Sequence, residues 1–479
     1  MPGRSDRFQE CKSLNISQND AEVPRKRYLV IAATVAWLGG FLFGYDNIVI
    51  SGAIRYLSLC YGLGAAGIGW AAGCALIGCI GGSAAAGAVV DRIGLKKGLT
   101  LCAICFALSS VGIFFAGSFT QFVVWRLLAG VGIGAASIIS PMYIAEIAPT
   151  RMRGRLVTLY QLGIVVGILT AVFANMLIQR MGDEAWNIRM GWKWMFFAGI
   201  APAVFFGVTI AFAVESPRWL MKMGRHRSAF DVLSKVNGLA IAAREVREIQ
   251  GALDNERGHL SELFSTFLRP LLIGVMLAAF QQLSGITPLF SYLPEIFRAA
   301  GTGTTNAFFQ SVLVSLVNLL LTITALVLVD RIGRKTLILW GTLVQFVSFA
   351  LVGWFYHIHG SAIVVLILVM SFVAGHAFGN GVACWVIISE IYPTKVRGRA
   401  MSIATTALWV VGFIGNQSFP LMQKYLGNDG TFWCFSGAAL LGLICILLLV
   451  PETKGRSLEQ ITDFWIGRES SIHSGRLVP

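Results

Sequence analysis

The sequence predicts an all-α membrane protein, with twelve transmembrane helices in two pseudo-symmetric six-helix bundles and short cytoplasmic helices between them. Three observations carry this. Of 479 residues, 56% are hydrophobic and only 13% charged, whereas a soluble domain runs about 45–50% apolar and about 25% charged. Apolar runs long enough to cross a hydrocarbon core of about 30 Å occur twelve times. The polar motifs that punctuate the first six runs recur in the same order among the last six. The composition excludes a cytosolic enzyme, a secreted disulfide scaffold and a disordered regulator.

Read against charged punctuation, spans 1–6 fall near 28–57, 64–90, 98–117, 121–142, 156–178 and 192–214. Spans 7–12 fall near 270–297, 305–329, 336–357, 361–388, 400–424 and 430–450. The domains expected are a tail (1–27), a first bundle (28–214), a linker (215–269), a second bundle (270–452) and a closing tail (453–479). The first 27 residues are polar and contain no cleavable signal peptide. The last six, Ser474 to Pro479, read as the start of a protease-site and tag scar.

The net charge of +14 suggests nucleic acid at first sight. The basic residues instead come in short bursts between apolar stretches, which is how orientation in a bilayer is encoded. One side of the membrane collects 31 of the 38 Lys and Arg. The other holds only Arg55, Arg180, Arg189, Lys193, Arg298 and Lys424, and Arg126 lies within span 4. Positive residues stay inside, so both termini are expected in the cytoplasm, and nucleic acid is dropped as a partner. The sequon Asn15-Ile-Ser17 then lies on the cytoplasmic side, unmodified.

Most of the 9 cysteines sit inside apolar runs, where Cys behaves as a small hydrophobe. Cys102-Ala-Ile-Cys105 has no second ligand pair, so no metal or cofactor is expected. No nucleophile–base pair stands out, and no enzyme is read here. His357 and His359 fall at the outer end of span 9. His376 is intramembrane, with packing its favoured role and a proton relay the alternative.

The internal repeat is explicit. Asp91-Arg92-Ile-Gly94 after span 2 matches Asp330-Arg331-Ile-Gly333 after span 8. Glu146-Ile-Ala-Pro149-Thr-Arg151-Met-Arg153-Gly154-Arg155 matches Glu390-Ile-Tyr-Pro393-Thr-Lys395-Val-Arg397-Gly398-Arg399. Glu215-Ser-Pro217-Arg218 ends span 6, and Pro451-Glu452-Thr-Lys454-Gly455 ends span 12. Each pair occupies corresponding loops on one side, so the halves are parallel repeats about an axis along the membrane normal. Transporters with a site between two bundles are built this way.

Two ionisable residues lie within the membrane. Asp46 is about 18 residues into span 1, or roughly 27 Å from its cytoplasmic start. Arg126 is about six residues into span 4 from outside, which places the two at similar depth. A buried charge is costly, and it usually has a partner and a job. Two readings stand: a static pair that fixes helix packing, or a proton switch in which Asp46 takes up a proton when helix motion removes Arg126. Gln281 and Gln282 fall near the midplane of span 7, followed by the helix breakers Gly285, Pro288 and Pro294. An amide offers an acceptor and two donors, which suits sugar hydroxyls, although a lone intramembrane Gln also serves as interhelical glue.

These strings together resemble the sugar porter family of the major facilitator superfamily. The resemblance rests on the two Asp-Arg-x-Gly motifs, Trp125-Arg126-x-x-x-Gly130-x-Gly132-x-Gly134, Glu215-Ser-Pro-Arg218-Trp219-Leu220, Gln281-Gln282-x-Ser284-Gly285 and Pro451-Glu452-Thr-Lys454-Gly455. Gly44-Tyr45-Asp46-x-x-x-Ile50-Ser51-Gly52 and Gly182-Asp183-Glu184-x-Trp186-Asn187 make it most similar to the bacterial xylose–proton symporters. The resemblance covers residues 28–460. It implies a major facilitator fold, two six-helix bundles around a central cavity, with Asp46 and Arg126 coupling transport to protons. It also implies a monosaccharide site of Phe43, Gln161, Gln281, Gln282, Asn318, Gly381 and Trp385, with Thr287 in place of the family's Asn. Leu408, Ser291, Asn380 and Val382 also depart from the pattern, which leaves the sugar open, xylose favoured.

By the same resemblance, Asp91, Arg92, Glu146, Arg153, Glu215, Arg218, Asp330, Arg331, Glu390, Arg397 and Glu452 form a cytoplasmic gate that latches the outward-open state. Leu95, where a basic residue is common, loosens the first latch relative to the second with Arg334. The 6–7 loop has helical spacing around Ala242–Ala252 and reads as amphipathic helices under the bundle. The expectation is a proton-coupled monosaccharide symporter of the bacterial inner membrane. It is multi-pass, in contact with lipid and functional as a monomer. The rivals are a facilitative uniporter and a transport-dead sugar receptor.

Overall fold

The computed structural model describes residues 26–149, 152–254, 263–264, 267–392, 396–452 and 454. The described residues form helices and connecting turns, with no strand among them. Eleven helices are long and apolar enough to cross a membrane. The last, Gly398–Leu449, has 52 residues. At 1.5 Å per residue that is about 78 Å, more than twice the hydrocarbon thickness. It is broken at Gly427, whose φ of 72° is left-handed. Spans 11 and 12 are the two arms, so the chain crosses twelve times. The sequence separated them at the polar run Gly427-Asn428-Asp429-Gly430.

Span 1 runs Lys26–Ile48 and resumes as Ile50–Tyr61, span 2 is Ala65–Ile93 and span 3 Leu95–Phe114. Span 4 is Phe119–Ile147 and span 5 Arg153–Gln179. Span 6 is assembled from Glu184 to Ala211 with a wide turn at Asn187–Gly191. Span 7 comes in three pieces, Leu268–Leu283, Ile286–Ser291 and Leu293–Ala299. Span 8 is Thr304–Ile332 and span 9 Arg334–His357. Span 10 is Ala362–Gly375, a wide turn His376–Asn380, then Ala383–Ile391. Between the halves lie Pro217–Lys222, His226–Asn237 and Leu239–Asp254, the last over the segment expected to be amphipathic. The expected terminal tails lie almost wholly outside the described residues.

Small residues set the packing of the first half. A Cβ on Gly130 or Gly134 of span 4 would collide with the main chain of Ala75 or Cys79 on span 2. One on Gly78 or Gly82 would collide with Leu127 or Val131 in return. Spans 1 and 5 meet the same way, through Gly40, Gly44, Gly163 and Gly167. Such backbone approach is how helices associate where lipid provides no hydrophobic drive. Large apolar side chains such as Phe205, Phe212, Val327, Ile363 and Leu448 stay exposed on the outer faces, as expected of surfaces bathed in lipid.

The halves meet where span 2 packs on span 11 and span 5 on span 8. The end of the first seam at the start of span 2 is closed by hydrogen bonds. Gln417 Nε2 donates to the Ala66 carbonyl at 3.1 Å and Asn416 Nδ2 to that of Ala72 at 3.3 Å. The Tyr292 hydroxyl, on span 7, reaches the Asn416 carbonyl at 3.0 Å and that of Ile68 at 3.5 Å. Asn416 Nδ2 also donates to Ser291 Oγ at 3.1 Å.

Candidate functional site

Arg126 is fully buried, and its Nη1 donates to Asp46 Oδ1 at 3.0 Å and to the Asp46 carbonyl at 3.1 Å. The Asp46 side chain is 15% exposed. Packing fixes the guanidinium: Gly130 and Gly134, one and two turns on, press span 4 against span 2. The Phe196 ring lies under Arg126 Cζ at 5.2 Å. Asp46 Oδ2 and Arg126 Nε and Nη2 are buried without a partner. The pair is therefore held by one side-chain bond, which leaves it separable. Removing one member of a buried pair strands the other, at a cost of about 3–5 kcal/mol, unless a proton replaces it.

The amides of span 7 diverge. Gln281 is buried and its Nε2 donates to the Asn380 carbonyl on span 10 at 2.9 Å. Gln282 faces the other way: its Oε1 accepts from the Thr287 hydroxyl and lies beside Gly412 on span 11. As neighbours on one helix they face about 100° apart, and Gly285, whose φ of 91° breaks the helix after them, brings Thr287 back to Gln282. Thr287 thus keeps a polar group where the sequence departs from the family pattern, and spends it on Gln282.

Phe43 of span 1 meets Trp409 of span 11 with ring centroids 5.5 Å apart, an aromatic contact across the two halves. Trp409 Nε1 is buried without an acceptor. Asn318 on span 8 is buried, while Gln161 on span 5 and Trp385 on span 10 are half-buried. Gly381 lies where span 10 loses α-helical form. Amides, an indole and unpaired donors and acceptors are groups that sugar hydroxyls can satisfy. Sequence reasoning did not single out Asn416, Gln345 or Thr342. The available signal was an amide or hydroxyl within an apolar run.

At the end of the bundles where spans 3 and 9 begin, Glu215 and Glu452 cap helices. Glu215 Oε1 accepts from the main-chain N–H of Leu95, Lys96 and Ser216 at 3.0, 3.1 and 2.9 Å. Glu452 Oε2 accepts from Lys335 N–H at 3.2 Å and its Oε1 from Lys454 N–H at 2.9 Å. Each acid thus satisfies donors left open at the start of span 3 or 9. Lys96 Nζ in turn binds the carbonyls of Ala211 and Ala213 at 3.0 and 2.7 Å, and Lys335 Nζ that of Leu447 at 3.0 Å.

Asp91 pairs with Lys222 at 2.8 Å, Arg334 with Glu390 at 3.2 Å, and Glu146 accepts from the Ser216 hydroxyl. Arg92 and Arg331 are exposed, and Arg218 lines a cavity with Glu146 and Glu245. The side chains of Arg153, Asp330 and Arg397 lie outside the described residues. Leu95, where the second half has Arg334 on Glu390, gives its main-chain N–H to Glu215.

The model of the family described as "Sugar (and other) transporter" matches residues 32–465. The D-xylose-proton symporter of Escherichia coli K12 is 35% identical over 470 residues, covering 91% of this chain and 96% of its own. The arabinose-proton symporter of Bacillus subtilis is 36% identical over 442 residues, covering 92% and 95%. Among solved structures, the partially occluded inward-open conformation of the E. coli xylose transporter XylE superposes with a TM-score of 0.82 at 34% identity. It covers 90% of this chain and 100% of that one. With twelve crossings, two halves and these relatives, the chain belongs to the sugar transporter family and has the major facilitator fold.

Proposed function

We propose that the protein carries a monosaccharide together with a proton across the bacterial plasma membrane by alternating access. The observation that carries this is the Asp46–Arg126 pair, buried and joined by a single side-chain bond. In this reading the start of span 2 faces out, and in the state seen here the seam at that end is shut. Asp46 holds Arg126 as the ionised partner. When the helices part, Asp46 loses that guanidinium and takes a proton, so in the loaded carrier Asp46 is neutral while Arg126 keeps its charge, and the proton crosses with the sugar. Sugar hydroxyls occupy the lining of Gln161, Gln281, Gln282, Asn318 and Trp385, with Phe43 and Trp409 against the ring. D-xylose is the first sugar to test, since the relatives at 35–36% identity are named for pentoses.

The cytoplasmic acids and bases hold the inner face closed in the outward-open state, with both termini inside. The second latch, with Arg334 on Glu390, is the firmer. The carrier works as a monomer in lipid and performs no catalysis. In sealed proteoliposomes, sugar addition should alkalinise the outside, and an inwardly directed proton gradient should drive accumulation above the external concentration. Equal uptake with the gradient collapsed would make it a uniporter, and no uptake of any sugar would leave a receptor.

A further inference from the structure

Span 10 departs from α-helical form where it faces span 7. Its turn widens over His376–Asn380, with Gly381 N–H donating five residues back to the His376 carbonyl at 2.7 Å. The Asn380 carbonyl, at this irregular turn, accepts Gln281 Nε2 at 2.9 Å. A main-chain carbonyl can only accept, so the Gln281 amide has one possible orientation. Its NH2 is committed to span 10. Its Oε1 is buried without a donor, a state that is unfavourable until something donates to it.

Asn380 is held in turn by a chain of bonds to span 9. Thr342 gives its hydroxyl proton to the Ile338 carbonyl at 2.8 Å, and its contact to Asn380 Oδ1, at 3.4 Å, is longer. Its Oγ1 therefore accepts from Asn380 Nδ2 at 3.2 Å. The same Nδ2 donates to Gln345 Oε1 at 2.8 Å. Gln345, fully buried, is left with its Nε2 facing His376 Nδ1 at 3.1 Å. His376 accepts there, so it is neutral and carries its proton on Nε2. Spans 9 and 10 contain no Asp, Glu, Lys or Arg between Lys335 and Glu390. The chain is uncharged and has a single donor direction, fixed by main-chain carbonyls.

We propose that Asn380, braced by Thr342, Gln345 and neutral His376, is the positioning residue that turns the Gln281 carbonyl oxygen to the ligand. The site thereby selects a sugar with a hydroxyl free to donate at that point. This rests on the sugar-carrying reading. It adds residues on spans 9 and 10 that touch no ligand themselves.

The test is equilibrium binding to the purified full-length protein. D-xylose, L-arabinose, D-glucose and D-galactose are measured first, then the monodeoxy analogues of whichever binds most tightly. In the wild type, one deoxy analogue should bind about tenfold more weakly than its parent, the worth of one well-placed hydrogen bond. In Gln345→Leu the parent should weaken about tenfold while that analogue does not, so their ratio falls to near one. Thr342→Val, which keeps the shape and loses the acceptor, should cut the ratio about threefold, and Thr342→Ser should restore it. The threonine pair decides the matter if Gln345→Leu does not fold. A wild-type ratio in both Thr342→Val and Gln345→Leu, or an equal loss in Thr342→Ser, overturns the proposal. Wild-type protein that binds none of the four sugars overturns both this and the sugar-carrying reading, whereas sugar binding with an unaltered ratio overturns this alone.

Discussion

The two halves share a repeat and differ in what they bury. The first holds a charge pair, Asp46 and Arg126, between helices that touch backbone to backbone through glycine. The second holds neutral amides: Gln281 and Asn380 on helices that break at Gly285, at Tyr292 and over His376–Asn380, and Gln345 on the continuous span 9 beside them. A charge in a low-dielectric interior is stabilised only by close geometry, which rigid, glycine-packed helices provide. A ligand with hydroxyls at several angles needs donors and acceptors pointing in different directions, and interrupted helices supply them. Duplication supplied one scaffold. In the proposed mechanism the proton site lies in the first copy and most of the sugar lining in the second, with Phe43 and Gln161 added from the first.

That division is open to direct attack. Asp46→Asn should have the largest effect, abolishing gradient-driven accumulation while counterflow exchange persists in proteoliposomes. Retained accumulation would remove the charge pair from the mechanism. Gln281→Ala should do the converse, raising KM about tenfold or more with the sugar-to-proton ratio unchanged, read from paired uptake and pH traces. Should Gln281→Ala alter the ratio, the halves would not divide the work. Gly130→Val drives a branched side chain into the main chain of Ala75. It should lower the melting temperature by about 5 °C or more, as severe overpacking does. The smallest expected effects are Glu215→Gln and Glu452→Gln. Each weakens a helix cap by about 0.5–2 kcal/mol, and the two losses should match in thermal shift, because the halves are alike there.

Much of this was legible in the sequence. The spans came from hydropathy, and Asp46 with Arg126 came from the rarity of charge inside an apolar run, since matching depth was enough to pair them. Gln281 and Gln282 were found for the same reason. Where their amides point was not legible, because it depends on the left-handed Gly285 and on a carbonyl freed on span 10. Gln345 and Asn416 drew no reading from the sequence, and only folding shows that one joins a chain to His376 and the other closes a seam. His376 itself packs as expected, yet as an acceptor in that chain. Glu215 and Glu452 were expected, by resemblance, as members of a cytoplasmic gate. The structure aims them at main-chain N–H groups, a demand that every helix start makes and that no side-chain pattern advertises.

The seam between spans 2 and 11 has a consequence for how easily the carrier turns. Amide and hydroxyl side chains of the second half grip carbonyl oxygens of Ala66, Ile68 and Ala72, never the side chains of those residues. Water can take over each such bond with a net loss of only about 0.5–1.5 kcal/mol. The door is thus hung on a latch that solvent can lift, and thermal energy suffices to swing it. Since every residue type offers the same oxygen, these bonds do not depend on which side chains stand at 66, 68 and 72, whereas Gly69 between them leaves no room for a Cβ against the Gln417 carbonyl.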